Sequence, residues 1–359
     1  MFEGWQHYRN ILCIRPDNMG DVLMTEPALR ALKEAVPGRK LTLLTSSAGA
    51  AVARLLPVVD DIITFDVPWA KHEAAWDGTA VAAMAGQLRE RRYDVAVIFT
   101  AYSQNPLPAA MLCFMAGMPH ALGYCRENPY GLMDCWVPDP EPLDTIRHEV
   151  DRQLALVATT GARTEDTAMH LPVPEQPGQE IRRRLQAEVP SGGRWLVLHP
   201  GVSEAKRRYP PGHYAEAMRT LVADGFTVVM TGAATEKAQV DELAQAIGTG
   251  VVNLAGQLSV SELAALLAEA PLLVANNTGP VHIAAAVGTP VVVLYAMTNP
   301  QHTPWQVPHS VLYFPVEPEL RSKNRFLQTF PGAGEPAASP AAIVKAVHGL
   351  IDAPREASS

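Results

Sequence analysis

The sequence predicts an α/β protein with two doubly wound, Rossmann-like domains that face each other across a cleft. Short apolar runs alternate with segments of helical period, which is typical of βαβ units and a parallel sheet. A proline-rich segment near the middle of the chain separates two such series. The chain has 359 residues, which is too many for one ordinary domain and suits two.

The first series of elements covers the amino-terminal part of the chain. Its apolar runs are short and continuous, as in strands that are buried on both faces: NILCI, LTLLTSS, IITFD and DVAVIFT. Segments with helical spacing separate these runs: VLMTEPALRALKEAV, AAVARLL and residues 78–92. Residues 101–145 are rich in proline and aromatic side chains, and they predict a helix, a short strand and an irregular connection. An amphipathic helix is predicted over 146–160.

The segment LPVPEQPGQE, at 171–180, contains three prolines and has the composition of a linker. We therefore predict one domain at 1–172, a second domain at 173–325, and a tail at 326–359 with a final helix at about 340–351. The second domain repeats the alternation of strands and helices. Its predicted strands are RWLVLH, FTVVM, VVNLAG, PLLVANN and PVVVLYA. Its predicted helices are YAEAMRTLVADG, EKAQVDELAQAIG, SVSELAALLAEA and VHIAAAVG.

Composition excludes several classes of protein. A hydrophobic share of 48% allows substantial cores, yet no apolar stretch reaches the roughly 18 residues of a membrane-spanning helix. The start, MFEGWQHYRN, lacks the apolar run of a signal peptide, so we expect a cytoplasmic protein. A net charge of −8 argues against general nucleic-acid binding. The four cysteines form no CxxC pair, so we interpret them as small buried hydrophobic residues.

Ligands of doubly wound sheets bind at the carboxyl ends of the strands, where the strand order reverses. Two such domains place the expected site in the cleft between them. Four of the predicted strand-to-helix turns contain residues that could bind a ligand or take part in catalysis.

The first turn, NMGD, follows the first predicted strand. Gly20 permits a tight turn, and Asp21 lies near the start of a helix, where a carboxylate is favoured by the helix dipole. Asp21 could simply cap this helix. The alternative is a general base that takes a proton from an acceptor hydroxyl.

The second turn, HPGVSEAKRRYP, follows the strand RWLVLH. It combines a glycine turn and Ser203 with three consecutive cations, among them Lys206 and Arg207. A run of cations often only faces solvent. On a βα turn, however, such side chains could bind a diphosphate and neutralise it as a leaving group.

The third turn, TGAATEKAQ, places Glu236 at the start of the next helix. Its carboxylate could cap that helix. It could also accept hydrogen bonds from ribose hydroxyls, as acidic residues do in dinucleotide sites.

The fourth turn, NNTGPVH, ends a buried strand at Asn277. Thr278 and Gly279 form the turn, and Pro280 suits the first position of a helix. Free backbone N–H groups at a helix start bind anions, and His282 lies in the same first turn. We therefore predict a phosphate site here.

Together, the segments NMGDVLMTEPALRAL, AKRRYPPGHYAE and NNTGPVHIAAAVGTPVVVLYAMTNPQHTPW resemble glycosyltransferase family 9. The resemblance extends over about residues 10–315, in order and at family-like spacing. The best-known members of this family are ADP-heptose:lipopolysaccharide heptosyltransferases. The resemblance implies a GT-B fold, an inverting transfer, and no metal or other cofactor. It also implies a glycan or glycolipid acceptor, bound by the domain at 1–172, and a nucleotide-sugar donor, bound by the domain at 173–325. Contact with the inner membrane would be peripheral at most.

The family's functional residues map onto the turns described above. Asp21 matches the proposed base of the GD pair, and the cation of the KRWP-like motif falls on Lys206 or Arg207. The carboxylate that contacts ribose matches Glu236. The donor-phosphate turn matches Thr278, Gly279 and His282. Many members have aspartate in place of Asn277, so a donor sugar other than heptose stays open.

Three other classes remain to be weighed. A nucleotide-sugar epimerase of the same fold class would bind a similar donor and need no acceptor. A dinucleotide-dependent dehydrogenase would need a G-x-G-x-x-G turn, which this sequence lacks. A binding protein without activity would leave the carboxylate of Asp21 and the three cations without a common role. The sequence therefore favours a glycosyltransferase.

Overall fold

The computed structural model describes residues 4–70, 78–202, 204, 207–296, 300–317 and 337–353. The chain divides into two compact units, Met1–His170 (unit 1) and Leu171–Ser359 (unit 2). Each unit is built around its own parallel sheet of six strands.

Most strands of the sheet in unit 1 are followed by a helix. The strands are β1 (Asn10–Arg15), β2 (Lys40–Thr45), β3 (Asp61–Thr64), β4 (Val95–Ile98), β5 (Ala121–Cys125) and β6 (Cys135–Pro138). The helices are α1 (Met19–Glu34), α2 (Ser47–Ala53), α3 (Gly78–Arg91), α4 (Leu107–Met115) and α5 (Glu149–Ala158). The order across the sheet is β3-β2-β1-β4-β5-β6, and every pairing is parallel.

The central strands of unit 1 explain the apolar runs in the sequence. β1 and β4 lie side by side, and their apolar residues are buried because helices cover both faces of the sheet. The chain leaves β1 for β2 on one side and returns to β4 on the other. A crevice therefore opens at the carboxyl ends of β1 and β4.

Unit 2 repeats this architecture with a second sheet. Its strands are β7 (Arg194–His199), β8 (Phe226–Met230), β9 (Val251–Asn253), β10 (Leu273–Asn276), β11 (Val291–Ala296) and β12 (His309–Phe314). Its helices are α6 (Glu175–Glu188), α7 (Pro211–Ala223), α8 (Lys237–Ile247), α9 (Val260–Glu269), α10 (Gly279–Ala286) and α11 (Pro340–Ile351). The order across the sheet is β12-β11-β10-β7-β8-β9. Here the order reverses between β7 and β10.

Three local predictions differ from the structure. The predicted linker at 171–180 is extended only over its first residues, because α6 begins at Glu175. Pro177 lies in the first turn of this helix, where the missing N–H costs nothing. The region 101–145 contains two strands, β5 and β6, where one was predicted. The edge strand β12 has no predicted counterpart.

The carboxyl-terminal helix and the cysteines complete the cores. Ile343 and Val347 of α11 are fully buried in the core of unit 2, and α11 packs against α7. All four cysteines are free and buried, which confirms their interpretation as small hydrophobic residues. Among the residues that the structure describes, no helix is long and apolar enough to cross a membrane.

Candidate functional site

The turn after β1 places Asp21 at the carboxyl end of the first sheet. Asn18 is the N-cap of α1, and its backbone N–H donates to Asp21 Oδ2 at 3.2 Å. Gly20 is buried in the same turn. The Asp21 side chain keeps 18% of its surface exposed, so its carboxylate is accessible to a ligand. The capping role and the proposed role as a base are therefore compatible, because they use different faces of one carboxylate.

Arg15, the last residue of β1, joins Asp21 to two further carboxylates. Its guanidinium group is fully buried, and Nη2 donates to Asp21 Oδ1 at 3.2 Å and to Glu149 Oε1 at 2.8 Å. Its Nε lies 3.2 Å from Asp17 Oδ2. Sequence reasoning missed Arg15, Asp17 and Glu149. A charged residue at the end of an apolar strand was the available signal for Arg15, and no local signal pointed to Glu149.

Burial alters the protonation of Asp17. Its Oδ1 accepts a hydrogen bond from Gln104 Nε2 at 2.6 Å. Burial raises the pKa of Asp17 to about 6, and the Asp21 charge adds to the rise while Arg15 opposes it. Asp17 can therefore hold a proton at mildly acidic pH, which lowers the negative charge around Arg15.

In unit 2, Asn276 connects the loops that meet at the reversal of strand order. It is fully buried at the end of β10. Its Nδ2 donates to the carbonyl of Pro200 at 2.7 Å, and its Oδ1 accepts from the backbone N–H of Tyr209 at 3.1 Å. Sequence reasoning selected its neighbour Asn277 as the binding residue. Asn276 instead holds both ends of the cationic turn 200–209 against β10.

Glu236 lies over the backbone of Gly201, beside the carboxyl end of β7. Its Oε2 accepts from the backbone N–H of Ala233 at 2.8 Å, and its side chain is 19% exposed. A Cβ atom on Gly201 would lie 2.2 Å from this oxygen, so only glycine leaves room for the carboxylate. His199 Nε2 lies 4.0 Å away, and burial lowers the pKa of His199, whose Nδ1 is 2.9 Å from Thr231 Oγ1. The carboxylate therefore faces a neutral imidazole.

The start of α10 has the geometry expected of an anion site. Thr278 is its N-cap in extended conformation, and its side chain donates to the carbonyl of Asn276 rather than capping the helix. Gly279 and Pro280 form the first turn. His282 follows in that turn and is buried. Pro280 has no backbone N–H, and the N–H of Val281 donates to the carbonyl of Thr278 at 3.0 Å, so among the first three residues of α10 Gly279 has the N–H that is left for a ligand.

Arg207 is the member of the predicted cation pair, Lys206 and Arg207, that the structure describes. Its side chain is 24% exposed, and its Nη2 lies 3.7 Å from Glu204 Oε1. Burial raises the pKa of Tyr295 at the end of β11, while the Arg207 charge opposes the rise. The charge of Arg207 therefore acts on the carboxyl end of β11. Ser203 and Lys206 lie outside the described residues.

Comparison with known proteins decides the family. The family model described as "Glycosyltransferase family 9 (heptosyltransferase)" matches residues 81–326, which is more than half of the chain. The chain belongs to glycosyltransferase family 9. The transferase is 29% identical to lipopolysaccharide heptosyltransferase 2 of Escherichia coli K12 over 307 residues, which cover 82% of this chain and 84% of that protein. It is 26% identical to lipopolysaccharide heptosyltransferase 1 of Pseudomonas aeruginosa over 300 residues, covering 82% and 80% of the two chains.

Solved structures agree with this assignment at the level of fold. The structure of E. coli ADP-heptose LPS heptosyltransferase II matches the transferase with a TM-score of 0.72 at 24% identity, covering 95% of this chain and 98% of that chain. A family 9 glycosyltransferase from Veillonella parvula matches with a TM-score of 0.75 at 19% identity, covering 96% and 97%. The GT-B fold with two Rossmann-like domains, predicted from the sequence, is confirmed.

Proposed function

We propose that this transferase moves a heptose from ADP-heptose to the lipopolysaccharide core or a related surface glycan, with inversion at the anomeric carbon. The observation that supports this most directly is the similarity to lipopolysaccharide heptosyltransferases over 82% of the chain. The positions of Asp21, Glu236 and Thr278 at the carboxyl ends of their sheets agree with it.

Unit 2 is the proposed donor-binding unit. In this proposal Glu236 accepts hydrogen bonds from the ribose hydroxyls. The diphosphate lies at the start of α10, where the backbone N–H groups near Thr278 and Gly279 donate to it. Pro280 sets the helix start, His282 adds a donor in the first turn, and the side chain of Asn277 faces the sugar.

Unit 1 supplies the base. The Asp21 carboxylate takes the proton of an acceptor hydroxyl, and the acceptor oxygen forms a bond to the anomeric carbon. The bond from that carbon to the diphosphate oxygen breaks at the same time, so ADP leaves with the electron pair. A positioned general base contributes about 10²- to 10⁴-fold to such a step.

We propose that the transfer needs no metal or other cofactor. The charge of the leaving diphosphate would be neutralised by Arg207 or Lys206 together with the helix start. Cationic side chains and helix N-termini are effective at developing negative charge in a water-poor site. Transfer rates that are unchanged after treatment with a chelator would support this part of the proposal.

An exposed apolar surface on unit 1 is the proposed site of peripheral contact with the cytoplasmic side of the inner membrane. Met111 and Phe114 on α4 are 45% and 61% exposed, and Tyr130 on the adjoining 3₁₀ turn is 85% exposed. Large apolar side chains grouped on a surface favour contact with lipid or protein. Phe114→Ser should reduce cosedimentation with vesicles of phosphatidylethanolamine and phosphatidylglycerol, whereas Leu143→Ser, on another exposed loop, should not.

The experiment for the proposed function combines binding and transfer. Calorimetry with ADP, UDP, GDP and CMP identifies the base of the donor, and Arg207→Ala or His282→Ala should weaken binding of the preferred nucleotide about tenfold or more. Preference for UDP or GDP would be consistent with a glycosyltransferase and would exclude ADP-heptose as its donor. Release of free or isomerised sugar without an acceptor would indicate an epimerase.

The role of the base is tested by Asp21→Asn with a matched control. Glu262 is the corresponding capping-box acid of α9, where it accepts from the backbone N–H of Ser259 at 2.7 Å. Asp21→Asn should lower kcat by about 10²-fold or more and leave ADP binding unchanged. Glu262→Gln should cost stability and leave kcat within about threefold of the wild type. Transfer by Asp21→Asn at the wild-type rate would show that Asp21 is not the general base.

A further inference from the structure

We infer that Arg15 is the positioning residue of Asp21, and that Glu149 holds Arg15 in place. This inference rests on the proposed function, in which Asp21 is the base. Neither residue belongs to the sequence motifs that point to the family, and the contact between them joins positions 134 residues apart.

The Asp21 carboxylate is held at both oxygens. Oδ2 accepts from the backbone N–H of Asn18, and Oδ1 accepts from Arg15 Nη2, each at 3.2 Å. One hydrogen bond would leave the carboxylate free to rotate about its bond to Cβ. Two bonds, one at each oxygen, restrict this rotation, and the remaining lone pairs then point in a defined direction. A base must be aligned with the proton that it removes, and a misplacement of about 1 Å can cost about 10²-fold in rate.

Arg15 is itself held from a third element. Glu149 is fully buried at the start of α5, where the helix dipole favours its negative charge. Its Oε1 accepts from Arg15 Nη2 at 2.8 Å and from Gln153 Nε2 at 2.6 Å. Gln153 also donates to the carbonyl of Thr100 at 3.1 Å, just beyond β4. A continuous chain of hydrogen bonds thus runs from α5 and the end of β4 through Arg15 to Asp21.

The charge balance of this cluster is not that of a stabilising ion pair. One buried guanidinium faces three carboxylates, those of Asp17, Asp21 and Glu149. Burying charges is costly, and apolar replacements of buried ion pairs are often as stable or more stable. An excess of carboxylates also adds repulsion: burial is the main cause of the raised pKa of Asp17, and the charges of Asp21 and Glu149 raise it further. The arrangement is better explained by the need to orient one of these carboxylates than by stability.

The test compares Arg15→Lys, Arg15→Met and Glu149→Gln with the wild type. Arg39→Met is the matched control, because Arg39 is 2% exposed and donates to the carbonyls of Trp5, Tyr8 and Leu32 near the start of unit 1, away from Asp21. Each variant is measured for kcat, for KM of donor and acceptor, and for its urea midpoint. Arg15→Met is also assayed with added guanidinium ion at millimolar concentration.

A positioning role predicts a specific pattern. Arg15→Met should lower kcat about 10²-fold with both KM values within about twofold, and guanidinium ion should restore part of the rate. Arg15→Lys and Glu149→Gln should lower kcat by more than about threefold but by less than Arg15→Met does. Arg39→Met should lower the urea midpoint and leave kcat within about twofold. If Arg15→Met does not fold, the inference is judged on Arg15→Lys and Glu149→Gln.

Two results would overturn the inference. One is a kcat within about threefold of wild type for Arg15→Met. If Arg15→Met does not fold, the same result for both Arg15→Lys and Glu149→Gln overturns the inference. The other is a loss of kcat that is matched in Arg39→Met at equal loss of stability. If the wild type transfers no sugar from any donor, the proposed function fails. In that case a double-mutant cycle of Arg15→Met and Asp21→Asn decides the inference: additive shifts of the urea midpoint would refute the coupling, and non-additive shifts would support it.

Discussion

Replacing Gly201 with alanine would add one methyl group in the space that the Glu236 carboxylate occupies. The new Cβ would lie 2.2 Å from Oε2 and 2.4 Å from Oε1, and these carboxylate atoms are its closest contacts. Gly201 is not in the left-handed backbone region, so alanine can adopt its conformation. Because a glutamate side chain can rotate away, the fold should survive and the carboxylate should move.

The expected loss of ADP affinity follows from the role of the displaced carboxylate in the proposed donor site. A hydrogen bond to a charged group contributes about 1.5–3 kcal/mol. If Glu236 accepts from the ribose, Gly201→Ala should weaken ADP binding by about 10- to 100-fold. The free energy of unfolding should change by less than about 1 kcal/mol, because the clash involves only the end of one partly exposed side chain.

The assay is calorimetric titration with ADP, together with urea unfolding. Gly212→Ala is the control, since Gly212 lies in α7 and a Cβ there would meet nothing within 4 Å. Glu236→Gln should resemble Gly201→Ala in its loss of affinity, and the double variant should be little worse than either. Gly201→Ala with wild-type affinity for ADP would refute the argument that the carboxylate must occupy this position to bind the nucleotide.

Three further outcomes are expected. The pKa of Asp17 is raised to about 6 in the folded protein, so its contribution to stability is present below its unfolded pKa and is lost as pH rises through about 6. The stability of Asp17→Asn relative to wild type should therefore increase between pH 4 and 7, by roughly 1–3 kcal/mol, and a pH-independent difference in urea unfolding would contradict this. Asn276→Ala removes the side-chain hydrogen bonds to Pro200 and Tyr209 and should lower the free energy of unfolding in urea by about 2–4 kcal/mol. A loss below about 0.5 kcal/mol would show that these two bonds do not hold the turn against β10. Ser259→Ala should cost about 1 kcal/mol because its side chain caps α9, and unchanged thermal unfolding would show that the cap contributes nothing.

Much of the candidate site could be located from local sequence. Asp21 follows an apolar strand and a glycine turn, and Thr278 to Pro280 form a helix start, so each is placed at a strand end by its immediate neighbours. The short strands β6 and β12 could not be located in this way. β6 has only four residues and ends in proline. β12 is an edge strand whose apolar run, 311–314, has only four residues, of which Leu312 and Phe314 are buried.

The contacts that define the chemistry of each unit depend on residues distant in sequence. Asn276 bonds Pro200 and Tyr209 across 76 and 67 positions, and Glu149 reaches Arg15 across 134. Neither hydrophobic periodicity nor a local motif predicts such pairs. They arise because the order of strands in each sheet decides which loops are neighbours.

The sequence alone determined that this protein has two α/β domains, because burial on both faces of a parallel sheet leaves continuous apolar runs and the alternation with helices is local. It also determined which turns carry a carboxylate, cations or a helix start. Only the tertiary structure decided that β1 lies beside β4 and β7 beside β10, since strand pairing is a long-range choice. That choice brought Asn276 to Pro200 and Tyr209, because the loops after β7 and β10 meet where the order of strands reverses. The pairing of β7 with β8 placed Glu236 over Gly201, and the packing of α5 against α1 brought Glu149 to Arg15.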